Sequence, residues 1–332
     1  MTEGDPHEPV LVEVTRSGMV ESRHRGSAVL LGADGAVLRR AGEPDRPVYP
    51  RSANKAMQAV AMVRAGLDLP DELLAVAAAS HSGEPVHLHA VRSILDRAGL
   101  GPADLGNPPG LPLGPAELRA HLARGGGEET ILHNCSGKHA AMLATCVAAG
   151  WPRDGYLDPE HPLQRAVTAT IAELSGEPVA HIGVDGCGAP AHALTLTALA
   201  RAQQRIAGAP PDTTEGRVAR AVRARPELVG GTGRDDTRLM RTLPGAMAKD
   251  GAEGVLVVAL ADGPSFALKL ADGAWRGRAA VALDWLAGAG VDVAAAVADG
   301  LGGDPVTGGG RVVGRVVGRV AGRVVGRIGS VP

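Results

Sequence analysis

A serine and a lysine stand three residues apart in Pro50-Arg51-Ser52-Ala53-Asn54-Lys55, at the mouth of a stretch with helical apolar spacing (Ala56, Met57, Val60, Ala61, Val63) that Gly66 stops. On a helix, positions i and i+3 share a face, so the two side chains can reach one another. A serine hydroxyl is a weak nucleophile until a neighbouring base takes its proton. Lysine can be that base when burial or a nearby cation lowers its pKa. The helix N-terminus would also favour negative charge developing at Ser52. On its own, S-x-x-K more often means a serine N-cap beside a solvated lysine. The pair gains chemical meaning only from the rest of the chain.

A second serine, Ser80, lies in Ser80-His81-Ser82-Gly83-Glu84, which abruptly ends the apolar run Leu73 to Ala79. A merely structural helix end needs only Gly83, so His81 and Glu84 are acid–base candidates as well as ordinary surface groups. Lys249, in Lys249-Asp250-Gly251-Ala252-Glu253-Gly254, precedes the strand-like run Val255 to Val258. It looks like the K-[ST]-G signature that accompanies S-x-x-K in serine β-lactamases and penicillin-binding proteins, with Asp250 departing at the middle position. Lys269 competes for the same role, although alternation in Phe266 to Leu270 also fits a solvated strand face.

Sulfur supplies a third kind of chemistry. Cys135 opens an Ala-rich helix as Cys135-Ser136-Gly137-Lys138-His139, and thiolates are stabilised at helix N-termini. Cys187 sits in the Gly-rich turn 182–190. Two thiolates make half of a tetrahedral zinc site, with His133, His139, Lys138 or water open for the rest. A lysine ligand must shed its proton to bind. Two buried cysteines serving as small core residues fit the spacing too, and Cys146 is read only that way.

These groups need a scaffold. The chain has 332 residues, 45% hydrophobic, with a net charge of -2, enough for one large domain with a buried core. Near-neutral charge and 2% aromatic content argue against a nucleic-acid partner. Three cysteines indicate a reducing compartment rather than a disulfide framework. The polar N-terminus and the absence of any apolar run of membrane-spanning length point to a cytoplasmic protein with no membrane partner. Strands are expected within 10–40, helices from 53 to about 224 and again over 278–297, and strands at 255–260 and 265–270. Strands, then helices, then strands make an α+β fold in which both chain ends share an antiparallel sheet. Residues 1–305 read as one catalytic domain. In the Gly-Arg-Val-Val repeat, glycine weakens helix and strand alike, so 306–332 read as a low-complexity tail outside the fold.

Together PRSANK, ASHSGE, HNCSGKH, VDGCGAP, GTGRDDT and KDGAEG resemble, in order, the bacterial asparaginase II family of the Rhizobium etli type, over roughly residues 10–290. The resemblance implies a fold like serine β-lactamases and glutaminases, a homodimer, and hydrolysis of the small-molecule substrate L-asparagine. It implies Ser52 with Lys55 and Ser80 with Lys249 as two catalytic Ser–Lys pairs. It also implies zinc on Cys135, Lys138 and Cys187, with Arg51, His139 and Asp185 serving the substrate or the metal's surroundings.

Overall fold

The computed structural model describes residues 8–320 together with 323 and 324. Three strands open it: β1 (Val10–Arg16), β2 (Met19–Leu31) and β3 (Val37–Ala41). Six helices follow, α1 (Lys55–Arg64), α2 (Asp71–Ala77), α3 (Pro85–Arg97), α4 (Pro115–Ala123), α5 (Ser136–Ala149) and α6 (Pro162–Ser175). A ribbon of β4 (His181–Val184) and β5 (Pro190–Ala193) leads to α7 (Leu196–Ala207), α8 (Thr214–Ala224), α9 (Pro226–Val229) and α10 (Asp235–Thr242). The chain then returns to the sheet with β6 (Ala246–Gly251), β7 (Val255–Leu260) and β8 (Ser265–Leu270). Helices α11 (Arg278–Gly288) and α12 (Ala294–Ala298) precede β9 (Pro305–Gly308), β10 (Arg311–Val320) and β11 (Arg323–Val324).

The main sheet is antiparallel, in the order β11-β10-β1-β2-β8-β7-β6, with β3 also on β2 and β9 on β10. Both chain ends therefore meet in one sheet, the α+β arrangement expected. Helices cover it on both faces. Phe266 meets Trp285 of α11 edge to face, whereas the adjacent Ser265 donates to the Ala200 carbonyl of α7. Successive strand residues point to opposite faces, so α11 and α7 lie on opposite sides of the sheet. That double cover is why β7 is a continuous apolar run rather than an alternating one. Fully burying a side chain such as Phe266 stabilises the fold by roughly 1.5–3 kcal/mol.

Three expectations are corrected. The helix read over 191–205 starts later: Pro190 to Ala193 form β5, and α7 starts only after Thr195 caps it by accepting the Ala198 N–H. Lys249 and Asp250 lie inside strand β6 rather than before the first strand of a hairpin. The largest correction concerns the tail. β10 pairs with β1 through Val12↔Gly318, Glu13↔Val317 and Val14↔Val316, so the domain runs past 305. In a strand the four-residue repeat puts Gly314, Val316 and Gly318 on one face. A Cβ at Gly314 would lie 1.8 Å from the Thr15 carbonyl oxygen, and one at Gly318 would press on Ala280 of α11 at 3.3 Å. The glycines that weaken the strand locally are what let it seat, and Val316 is buried. Tail residues 321, 322 and 325–332 lie outside the described residues.

Truncation at residue 305 is accordingly expected to lower the melting temperature by at least about 4 °C, more than about 1 kcal/mol for a domain of this size. An unchanged melting curve would contradict the seating of β10. Among the described residues, no helix is long and apolar enough to cross a membrane.

Candidate active site

The turn bearing Ser52 is a 3₁₀ segment, Arg51–Asn54, that feeds directly into α1. Arg51 has φ +53°, a conformation that costs a side-chain-bearing residue on the order of 1–3 kcal/mol and must be held by its surroundings. One support is β6: a Cβ at Gly251 would fall 2.2 Å from the Pro50 carbonyl oxygen, so only glycine lets the strand approach this closely. The other is Asp185, whose Oδ1 lies 2.7 Å from the Arg51 guanidinium and also accepts the Gly186 N–H. This ion pair ties the serine turn to the turn that carries Cys187.

Lys55, the first residue of α1, is buried. Its Nζ contacts Ser80 Oγ at 3.0 Å, Cys135 Sγ at 3.1 Å and the Ala79 carbonyl. Burial lowers its pKa; Cys135 opposes that, while the Lys138 and Lys249 cations add to it. A neutral amine has two N–H donors and one lone pair. The Ala79 carbonyl and the Cys135 sulfur can take the donors, which leaves the lone pair for the Ser80 hydroxyl proton. The Ser52–Lys55 contact expected from i, i+3 spacing is not made. The turn is 3₁₀ rather than α-helical at Ser52, and Lys55 is directed at the loop after α2. Ser52 is partly exposed, and among the described residues its hydroxyl has no hydrogen-bond partner.

Lys249 does not pair with Ser80 either. Its ammonium lies 2.8 Å from Asp236 and is also bound by Asp250. Arg234 binds the other Asp250 oxygen at 2.6 Å, and Arg278 lies 3.8 Å from it while donating to the Gly251 and Val255 carbonyls. Burial works against the Lys249 cation, but the two carboxylates outweigh it and raise its pKa. Burial likewise opposes the Asp250 anion, and Lys249, Arg234 and Arg278 hold it well below the usual carboxylate range. Lys249 is thus a fixed cation, since carboxylates in a dry interior outcompete a hydroxyl for an ammonium. Lys269 is turned elsewhere, with Nζ donating to the carbonyls of Glu253 (2.6 Å) and Leu270 (2.9 Å). Lys269→Ala is therefore expected to cost turnover less than about threefold, under 1 kcal/mol. A loss larger than that of Lys249→Ala, in variants of equal stability, would reverse the assignment.

The sulfur groups come together, as the family resemblance implies. Cys135 and Cys187 pack in one buried cluster with Ala189, both free of disulfides, and Lys138 Nζ donates to Cys187 Sγ at 3.1 Å. Hydrogen bonding from Cys187 places the Cys135 pKa well below the ordinary thiol value, against burial, while that of Cys187 is raised. Burial opposes the Lys138 cation, yet the neighbouring sulfurs raise its pKa. Among the described residues, no group of three His, Cys, Asp or Glu side chains is placed to hold a metal, so a site here needs Lys138 as third donor. His133 Nδ1 accepts the Cys135 N–H.

The histidines divide by role. The Tyr156 hydroxyl accepts the Gly106 N–H and lies 2.7 Å from His139 Nδ1. His139 Nε2 is buried without a partner among the described residues. The acid–base candidates His81 and Glu84 are spent on structure. Ser136 donates to the Ile131 carbonyl, so His81 Nε2 donates to Ser136 across 2.9 Å, and its ring stacks on His87. Glu84 accepts from both the N–H and the hydroxyl of Thr232. The sequence reasoning gave no role to Asp236, Arg234, Arg278 or Tyr156. Lys249 and Asp250 directly after the apolar Ala246-Met247-Ala248 were the available signal of a buried charge that needs partners.

The family model described as L-asparaginase II matches residues 12–318. No curated protein matches. Among solved structures, a provisionally assigned β-lactamase from Bacteroides dorei is 16% identical, with 74% of this chain and 84% of that one covered and a TM-score of 0.40. A β-lactamase from Mycobacterium bovis is 15% identical over 83% of this chain and 93% of that one, with a TM-score of 0.36. Mglu in its native form is 15% identical over 77% of this chain and 63% of that one, with a TM-score of 0.34. At such scores these likenesses carry nothing about chemistry.

Proposed function

We propose that this chain, which belongs to the L-asparaginase II family, hydrolyses L-asparagine to L-aspartate and ammonia through a serine nucleophile. The observation that carries the reading is the buried contact between Lys55 and Ser80, beside a second serine whose hydroxyl is free. Ser52, more exposed than Ser80 and on the strained turn, attacks the side-chain amide carbon. Its proton passes through Ser80 to the lone pair of Lys55. The Lys55 ammonium then returns that proton to the departing nitrogen, so the C–N bond breaks with release of ammonia and an aspartyl ester remains on Ser52. Water attacks the ester by the same relay run again. Lys249, held cationic, contributes a fixed positive potential for the oxyanion. Asp185 and Arg51 offer opposite charges to the substrate's ammonium and carboxylate, and His139 offers its Nε2.

The donor set of two packed sulfurs and one amine fits zinc, and Cys135, Lys138 and Cys187 would hold it. Bound there, zinc would supply a fixed divalent charge beside the serines, and Lys138 would have to lose its proton to take part. Purified protein is expected to carry one zinc per chain by elemental analysis, lost in Cys135→Ser and in Cys187→Ser. Metal-free wild-type protein prepared without chelator would remove the zinc assignment and leave the serine chemistry standing. We further read the protein as a cytoplasmic homodimer, which sedimentation would test.

The functional test is ammonia release from L-asparagine, L-glutamine and a β-lactam, measured in parallel. The reading requires L-asparagine to be the best substrate. Preference for glutamine or the lactam would reassign the specificity, and ammonia from none would leave a binding protein.

A further inference from the structure

A cavity lies across the sheet from Lys249. Strand β2 changes partners along one edge, pairing with β1 over Met19–Arg25 and with β3 over Ala28–Leu31. At the changeover, a cavity of about 600 Å³ opens between the start of β1 and the end of β3. Strands β8 and β7 separate β2 from β6, so this space is not part of the serine–lysine site.

Its walls combine apolar side chains, among them Val10, Leu11 and Trp285, with positive charge. Arg23, Arg39, Arg40 and Arg319 line it, against the single acid Glu13. Glu13 is already used on both oxygens, by Arg23 at 2.9 Å and by Arg319. Arg40 pairs with Asp45 at the surface. Arg39 stacks over Trp285 with 4.3 Å to the ring centroid, and among the described residues its guanidinium makes no hydrogen bond or ion pair; Asp284 is the acid that faces it at longer range. Trp285 contributes to the wall, while its Nε1–H and the Arg319 Nε are sealed from solvent and have no partner among the described residues. The unpaired Arg39 guanidinium is the donor that a ligand rich in acceptors would satisfy. The volume is in the range of small-molecule sites.

We propose that this cavity binds a small oxyanionic metabolite, recognised through carboxylate or phosphate oxygens by Arg39 and Arg319. Guanidinium pairs with such oxygens in a forked geometry that an ammonium cannot reproduce.

The test is calorimetric titration of the full-length protein with pyrophosphate, succinate and L-aspartate, at low and high salt, with Trp fluorescence as a second readout. Saturable binding of at least one anion, weakened by salt, is expected. Arg39→Gln and Arg319→Gln should each weaken it at least tenfold, and Arg39→Lys should weaken it less than Arg39→Gln does. Binding should persist in Arg51→Gln, which disables the other site. Pyrophosphate binding alone would identify a phosphate-type ligand, and succinate or aspartate binding a carboxylate-type one. Absence of binding by all three anions would overturn the proposal. So would binding that is equally tight in folded Arg39→Gln, or that is lost in Arg51→Gln.

Discussion

Lys55→Met should lower the turnover of L-asparagine at least a thousandfold, about 4 kcal/mol in the barrier, while the protein stays folded. Methionine keeps the length of the buried stem and removes only the amine. General-base catalysis is worth 10²–10⁴, and among the described residues the amine is the only group that contacts Ser80 Oγ while carrying a lone pair for its proton. Losing the amine leaves the Ala79 carbonyl and the Cys135 sulfur without that donor, at a cost of about 1–3 kcal/mol in stability, which a domain of this size can bear and stay folded. Steady-state ammonia release and a melting curve on the same preparation check both halves. Retention of more than a tenth of the activity would show that Lys55 is not the base.

Asp250→Ala is expected to destabilise the protein by about 3–5 kcal/mol, the usual cost of leaving buried charges without their partner. Three cations, Lys249, Arg234 and Arg278, face that carboxylate, and Asp236 alone cannot neutralise them. The melting temperature should fall by roughly 6–10 °C. A pH signature accompanies it. The folded-state pKa of Asp250 is depressed, so its contribution is fully present above its unfolded value, about 3.9, and is lost as pH falls through the lower folded value. Wild type and Asp250→Ala should therefore converge in stability in strong acid. A gap that did not narrow below about pH 4 would mean that the loss comes from packing rather than charge.

The motifs were legible together through their order, which carried the family resemblance, rather than through spacing, which left each with a plain structural reading. PRSANK, ASHSGE, HNCSGKH and VDGCGAP lie together, with Lys55 against Ser80 and Cys135, and Lys138 against Cys187. Partnership was less legible. Helical spacing joined Lys55 to Ser52, but Arg51 at φ +53° and a 3₁₀ turn redirect the geometry, and Lys55 crosses to Ser80 instead. Lys249 was placed beside Ser80 by its likeness to K-[ST]-G, whereas it pairs with the adjacent Asp250 and with Asp236, 13 residues away on a different element. The tail failed for a related reason. Glycine disfavours a strand locally, but close approach to Thr15 and Ala280 can be judged only once the neighbours are known. Local propensity is outweighed where tertiary contact decides.

The most direct test of the account is to acid-quench wild-type protein during turnover of L-asparagine and sequence its peptides by mass spectrometry. An aspartyl ester on Ser52, absent in Ser52→Ala, is the predicted result. Turnover with no covalent adduct, or with the adduct on Ser80, would contradict it.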